Sequence, residues 1–433
     1  MPREEKAVDR PSPGECMKKA LLISVAVLAA APAFAAEPDG LTLPEGFHAT
    51  VVADGLGPIR HMALRGNDIY VSTRHGPNAP SVGIVAIRMG ADHKAADTQH
   101  IAGIDQGTGI RVYKGHLYAA TGTGVVRIPL SDSLVPTAAP ETIVDGLTVT
   151  NHPIAFDGRG NLFVSIDGGG GTNNCPDPNG PKDKPVGLKP CPLMETRGGV
   201  WRFDDSKPGQ KLADGEHFAT GIRNQGAMDW RTGDGLYGAW HGRDGTSKGW
   251  PELVTPAQDD AIADEMFRIT KGSDMGWPYT YWDGVRNIRL GAPEYGGDGK
   301  TPITDSKYAK PVAAFAPQRP AVLDLAFYNG RQFPRSYRGG AFIAMHGGGA
   351  DGGTVAGGHA GYNVMFVPFT GTGRAGKPVV FADGFAGPTP DAKQVKTAAY
   401  RPVGVAVGPD GALYVADSNK GRIWRISYGE SGN

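Results

Sequence analysis

One phrase recurs along the chain and constrains its fold more than any other feature. A short apolar strand meets a turn of Gly, Asp or Asn. A second apolar strand follows, and a further turn leads to a strand ending in Arg and an aliphatic residue. Clear copies occupy residues 60–72, 110–128, 152–165 and 401–426, with weaker ones at 226–239 and 322–345. The dipeptides Asp157-Gly158 and Asp410-Gly411 suit tight hairpins, where the backbone needs positive φ. Units spaced by roughly forty to ninety residues predict an all-β, six-bladed β-propeller with long inter-blade insertions. A pair of β-sandwiches explains the pattern less well, because a sandwich has no reason to repeat one hairpin phrase along its length.

Composition agrees with many short strands and turns. The 433 residues include 65 Gly and 35 Pro, spread among aromatic and β-branched residues. Lys and Arg number 44 against 44 Asp and Glu, a balance that argues against a nucleic-acid partner. A charged ligand must therefore be met by a local cluster.

The amino terminus reads as an address. Met17-Lys18-Lys19, the apolar run 20–31 and Ala33-Phe34-Ala35 form the three parts of a signal peptide cut after Ala35, with Met17 the better initiator. Residues 1–35 are thus expected to be leader, and 36–433 one propeller domain with no membrane span, exported to the periplasm or secreted. Only Cys175 and Cys191 remain after that cut, since Cys16 is lost. They bracket a loop of low apolar content in an oxidising compartment, and are expected to form a disulfide.

In a propeller the residues leading into each innermost strand crowd one mouth of the central channel. Those residues are Arg60 and His61, His152, Arg223 and Asn224, and Arg401. An arginine offers a fixed fork of donors and an asparagine both a donor and an acceptor, a pairing suited to an anionic or carbonyl-bearing ligand. A plain ion pair between a loop arginine and a nearby carboxylate is the simpler alternative. The stretch 258–265 packs acids without a neighbouring base, and carboxylates with loop carbonyls are what calcium prefers. A solvated acidic loop is the alternative there. Trp277-Pro278-Tyr279 is an aromatic cluster that packs, or stacks on a sugar. The glycine-rich run 347–353 lacks the Gly-Lys-Ser/Thr of a phosphate loop and reads as a blade connection.

The order of motifs resembles the soluble quinoprotein glucose/sorbosone dehydrogenase family, from about Leu43 to Tyr428. A histidine (His152) opens a strand. Gly-Ile-Arg-Asn at 221–224 follows, then Asp264-Glu265 before an apolar strand and Gly-Trp-Pro at 276–278. The phrase Arg-Pro-Val-Gly-Val-Ala-Val at 401–407 closes the set. The resemblance implies a sugar substrate, pyrroloquinoline quinone and Ca2+. It makes His152 the general base, with hydride passing to the quinone, a role suited to a group that titrates near neutrality. It places Arg223 and Asn224 on the quinone oxygens and the substrate, and Arg401 on a cofactor carboxylate. The Asp259 and Asp260 carbonyls would hold calcium, with Asp264 and Glu265 as an acidic pair linked to it.

This chain departs from the family's glucose dehydrogenases at three positions. Val403 replaces a second arginine, His346-Gly347 stand where a lysine is found, and Gln225 replaces a proline. These changes point toward a sorbosone-type or other branch. No Cys-x-x-Cys-His haem motif is present, so a cytochrome or quinone would be an external electron acceptor, and the protein a monomer or homodimer. Two further readings stay open: a calcium-dependent lactonase, which needs carboxylates at the inner-strand mouths, and a non-catalytic propeller that binds a glycan or a protein.

Overall fold

The computed structural model describes residues 1, 34–36, 40–73, 83–104, 107–147, 152–168, 173–181, 186–348 and 355–429; for Ala36 and Gln225 only the main chain is described. Met1–Ala33 forms one unit and Phe34–Asn433 a second, which holds all that follows. Residues 2–33, where the leader is expected, lie outside the described residues, as does most of the glycine-rich run 347–353. Among the described residues no helix is long and apolar enough to cross a membrane.

The second unit is a six-bladed propeller. Each blade is built on four antiparallel strands, and the innermost strands are Ile59–Arg65, Ile110–Tyr113, Ile154–Phe156, Gln225–Arg231, Val322–Phe327 and Pro402–Val407, here blades 1 to 6. The repeated phrase supplies the first two strands of every blade. At its turns Gly158 and Gly411 take φ of 73° and 81°, the left-handed conformation that a side chain would strain. Asp157 Oδ1 accepts the Arg159 N–H at 2.7 Å and closes the hairpin loop.

Blade 6 takes its outermost strand from the other end of the chain. Phe47–Ala53 pairs antiparallel with Ile423–Tyr428 and so closes the ring. This closure joins segments that the repeat pattern does not link. Aromatic side chains fill the wedge between blades 5 and 6, where Phe47, Phe333, Phe342, Phe381 and Trp424 are all buried. Tyr328 adds a hydrogen bond across the same wedge, its hydroxyl donating to Gly411 O at 2.8 Å.

The inner strands run in register around the axis, and glycines set their spacing. A Cβ on Gly109 would fall 2.3 Å from His152 O, one on Gly226 2.4 Å from Val322 O, and one on Gly404 2.5 Å from Arg60 O. Neighbouring backbones approach this closely only without a side chain. Buried carboxylates tie other neighbours together. Asp229 accepts the Phe327 N–H at 2.9 Å, and Asp324 the Val405 N–H at 3.0 Å. Across the axis, Arg111 donates to Met228 O at 2.8 Å and the His61 ring to Leu323 O at 2.7 Å. Polar side chains of the inner strands thus also bond main-chain carbonyls of blades that are not their neighbours.

Candidate functional site

The segments leading into the inner strands all lie at one end of this register. His152 is fully buried before the inner strand of blade 3. Its Nδ1 lies 3.1 Å from Ser165 O, so Nδ1 carries the proton and Nε2 is the lone-pair acceptor. Nε2 is buried and meets no hydrogen-bond partner among the described residues. Burial lowers the imidazole pKa to about 4. The strand that supplies Ser165 runs on to Gly168, whose N–H donates to Arg223 O at 2.7 Å. His152 and Arg223 thus belong to the same mouth.

Arg223 is buried before the inner strand of blade 4. Its Nη1 donates to Gly242 O at 2.5 Å and its Nη2 to Asp244 Oδ2 at 2.8 Å. Burial lowers the guanidinium from its ordinary value, and the Asp244 carboxylate opposes that shift. Asp244 is itself lowered: burial raises it, but Arg223 and then Arg319 outweigh this. Asn224 is half-buried beside Arg223, and its carbonyl accepts the His241 N–H at 3.1 Å. Arg223 thus forms the ion pair with a nearby carboxylate that is the simpler alternative for it.

Asp244 is held from two sides. Asn173 exchanges hydrogen bonds with its main chain, at 2.6 and 3.1 Å. The neighbouring Arg243 is buried against Glu294 at 2.6 Å. Asn173 lies just before Cys175, which is disulfide-bonded to Cys191 with Cα atoms 5.7 Å apart. The main-chain N–H groups of these cysteines donate to the Tyr295 and Tyr279 hydroxyls. The predicted disulfide therefore braces an insertion that reaches the mouth. Trp277 packs against Gly168 and Gly198 and is nearly buried, so it is a packing residue here.

On blade 6, Arg401 Nε donates to His346 O at 3.0 Å and Nη2 to Gly347 O at 3.1 Å, with the guanidinium 5.3 Å from the Tyr362 ring. The main-chain carbonyls of His346 and Gly347 thus orient this arginine. His346 is half-buried with its Nε2 2.7 Å from Ser418 Oγ. Burial, followed by Arg401, Arg60 and His241, keeps its ring well below the ordinary histidine range.

The four acids expected around calcium are not brought together. Asp264 and Glu265 are consecutive in the strand Asp264–Ile269, so their side chains point to opposite faces. Asp264 accepts the Gly242 and Val322 N–H groups at 3.0 and 3.1 Å and pins blade 4 to blade 5. Glu265 lies on the other face, 3.8 Å from Arg289, and burial raises it to about 7. Asp259 and Asp260 end the short helix Pro256–Asp260, the first buried and the second exposed. Among the described residues no group of three or more His, Cys, Asp or Glu side chains could hold a metal.

One mouth residue escaped the sequence reading. Arg319 stands three positions before the inner strand of blade 5, and contacts Asp259 at 3.2 Å and Asp244 at 3.3 Å. Its signal was present, since it occupies nearly the phase of Arg223 and Arg401. The repeat copy at 322–345 begins three residues after it. A cavity of about 20 Å3, room for about one water, lies between Arg223, Arg243, Glu265 and Trp277. A larger one of about 300 Å3 sits at the far end of blades 4 and 5, lined by Trp230, Tyr328 and Arg331, and holds none of the predicted site residues.

Residues 298–429 match a family model described as TrAA12-like. No curated protein matches the sequence. The chain is similar to the calcium structure of Trichoderma reesei Carbohydrate-Active Enzymes Family AA12, with TM-score 0.69 and 16% identity over 90% of this chain and 97% of that one. It is similar to the holo form of the pyranose dehydrogenase PQQ domain from Coprinopsis cinerea, with TM-score 0.66 and 15% identity over 90% and 98%. The apo soluble aldose sugar dehydrogenase from Escherichia coli gives 0.53 and 19% over 88% and 99%. At these identities the likeness is one of fold.

Proposed function

We propose that this protein is an exported sugar dehydrogenase that uses pyrroloquinoline quinone, of the aldose or sorbosone type, and passes electrons to an external acceptor. The observation that carries the reading is the set of three guanidinium groups, Arg223, Arg319 and Arg401, on successive blades at the mouth that also holds His152. A tricarboxylate needs several fixed cations, and each of these arginines is positioned by main-chain carbonyls or carboxylates. Arg319 makes up for one of the cations missing from the family pattern. The neighbours named as a PQQ domain and as an aldose sugar dehydrogenase support the same class.

Pyrroloquinoline quinone, when bound, supplies a two-electron acceptor. The protein's own part is positioning and proton transfer. His152 has its Nδ1 proton committed to Ser165 O, which leaves Nε2 to take the proton from a sugar hydroxyl. Arg223 and Asn224 would hold the quinone oxygens and the reacting carbon's oxygen, and Arg401 a carboxylate. The lactonase reading is less favoured, since among the described residues Asp244, Asp259 and Asp264 are bonded to arginines or main-chain N–H groups.

Reconstitution tests the reading. The purified protein, titrated with pyrroloquinoline quinone, is expected to shift the quinone absorbance and then to reduce a dye with aldoses. A folded protein that neither binds the quinone nor oxidises any sugar would overturn it.

A further inference from the structure

Resting on the quinone reading above, we infer that the Arg319 guanidinium, and not a calcium ion, is the resident cation at the corner of the mouth between blades 4 and 5. Calcium takes roughly six to eight oxygen ligands, and loop carbonyls are among its usual ones. Both carbonyls expected to serve it are already in use. Asp259 O accepts Arg319 Nη1 at 2.5 Å, and Asp260 O accepts the Gln318 N–H at 2.7 Å. The side chains are committed as well. Asp259 Oδ1 lies 3.2 Å from Arg319, while Oδ2 accepts the Ser247 hydroxyl at 2.9 Å. Arg319 Nε lies 3.3 Å from Asp244 Oδ1. One permanent cation thus bonds the Asp259 carbonyl and carboxylate, two of the oxygens expected to serve a divalent ion, together with the neighbouring Asp244 carboxylate.

The backbone is bent to hold that cation in place. Gln318, Arg319 and Ala321 have φ of 67°, 43° and 60°. Left-handed residues with side chains are costly, and three within four positions persist only where the surroundings demand them. Here the Gln318 N–H bond to Asp260 O and the Gln318 Oε1 bond from the Ala360 N–H, at 3.1 Å, fix the turn from both sides. A guanidinium held this way supplies directed donors to a carbonyl or carboxylate oxygen, the polarising role otherwise given to a metal.

The test is a calcium titration of the metal-stripped full-length protein by calorimetry and thermal unfolding. A pyrroloquinoline quinone absorbance titration runs beside it, in chelator and in millimolar calcium. The expected result is no stoichiometric calcium uptake, an unchanged Tm, and quinone affinity that differs by less than about twofold between the two conditions. Arg319→Ala is expected to lose about tenfold or more of that affinity, and Arg319→Lys, which keeps the charge but not the fork, to lose less. The wild-type arms decide the matter if a variant fails to fold. One-to-one calcium uptake with a raised Tm, or quinone binding that requires calcium, overturns the inference and leaves the quinone reading standing. A folded protein that binds no quinone under either condition overturns both.

Discussion

The Arg223 guanidinium and the Asp244 carboxylate stand 2.8 Å apart, the arginine 6% exposed and the aspartate 57%. A buried cation is thus balanced by an acid that faces solvent. The same acid also faces Arg319, so it tempers the positive potential of two of the mouth's cations at once. An anionic ligand entering the mouth competes with it.

Asp244→Asn should therefore separate stability from binding. Because the acid is more than half exposed, its loss should cost only about 1 kcal/mol or less, read as a small fall in Tm. Quinone binding should tighten and become more sensitive to salt, because the arginines lose their internal counter-charge. Weakened binding at unchanged Tm would show that Asp244 contacts the ligand favourably.

The buried imidazole predicts an unusual pH profile. Burial disfavours the charged form of His152, so its pKa of about 4 keeps Nε2 available as a proton acceptor well below neutrality. The acid limb of kcat/KM in the free enzyme should lie near pH 4, not near the ordinary histidine value. His152→Gln should lower kcat about 10²- to 10⁴-fold while quinone affinity holds. An acid limb that stays in place in that variant would assign it to another group.

Inner-strand glycines make a packing prediction. In Gly404→Ala the new Cβ would fall 2.5 Å from Arg60 O, a main-chain atom that cannot swing aside. The expected cost is about 1–3 kcal/mol, measured by denaturant unfolding, because two inner strands must move apart. Gly158→Ala, at an exposed hairpin with φ of 73° and open space around the new Cβ, should cost less, about 1 kcal/mol.

Buried titratable groups pull the pH dependence of stability in opposite directions. Burial lowers His61 to about 3 and His152 to about 4, so from pH 6.5 down to those values only the unfolded chain takes up protons and stability falls with acidification. Burial raises Asp324 and Glu265 to about 7 each, so from their unfolded values up to pH 7 the folded chain holds the extra protons and stability falls as pH rises. Removing the second pair with Asp324→Asn and Glu265→Gln should leave the histidines less opposed, with Asp229, Asp264 and Asp417 still raised by burial. Tm of the double variant should then climb more steeply between pH 5 and 7 than that of the parent. An equal or shallower slope would mean that these acids are already ionised in the folded state.

The blades were legible because hairpins are local. Alternating strands and turn dipeptides such as Asp410-Gly411 act over a few residues, and each of the six copies of the phrase became the inner pair of a blade. The phase of His152, Arg223 and Arg401 followed from the same pattern, since each sits just before an inner strand. Ring closure by Phe47–Ala53 did not, because it pairs segments at opposite ends of the chain. Nor did the fate of the acidic run. Whether Asp264 and Glu265 share a face depends on the strand beginning at Asp264 itself, a boundary that composition does not mark. Arg319 gained its place only when the turn at 318–321 was folded against Asp259 and Asp244. Local propensity could write each hairpin. The packing of inner strands around an axis decided which charges meet at the mouth and which are spent holding the strands together.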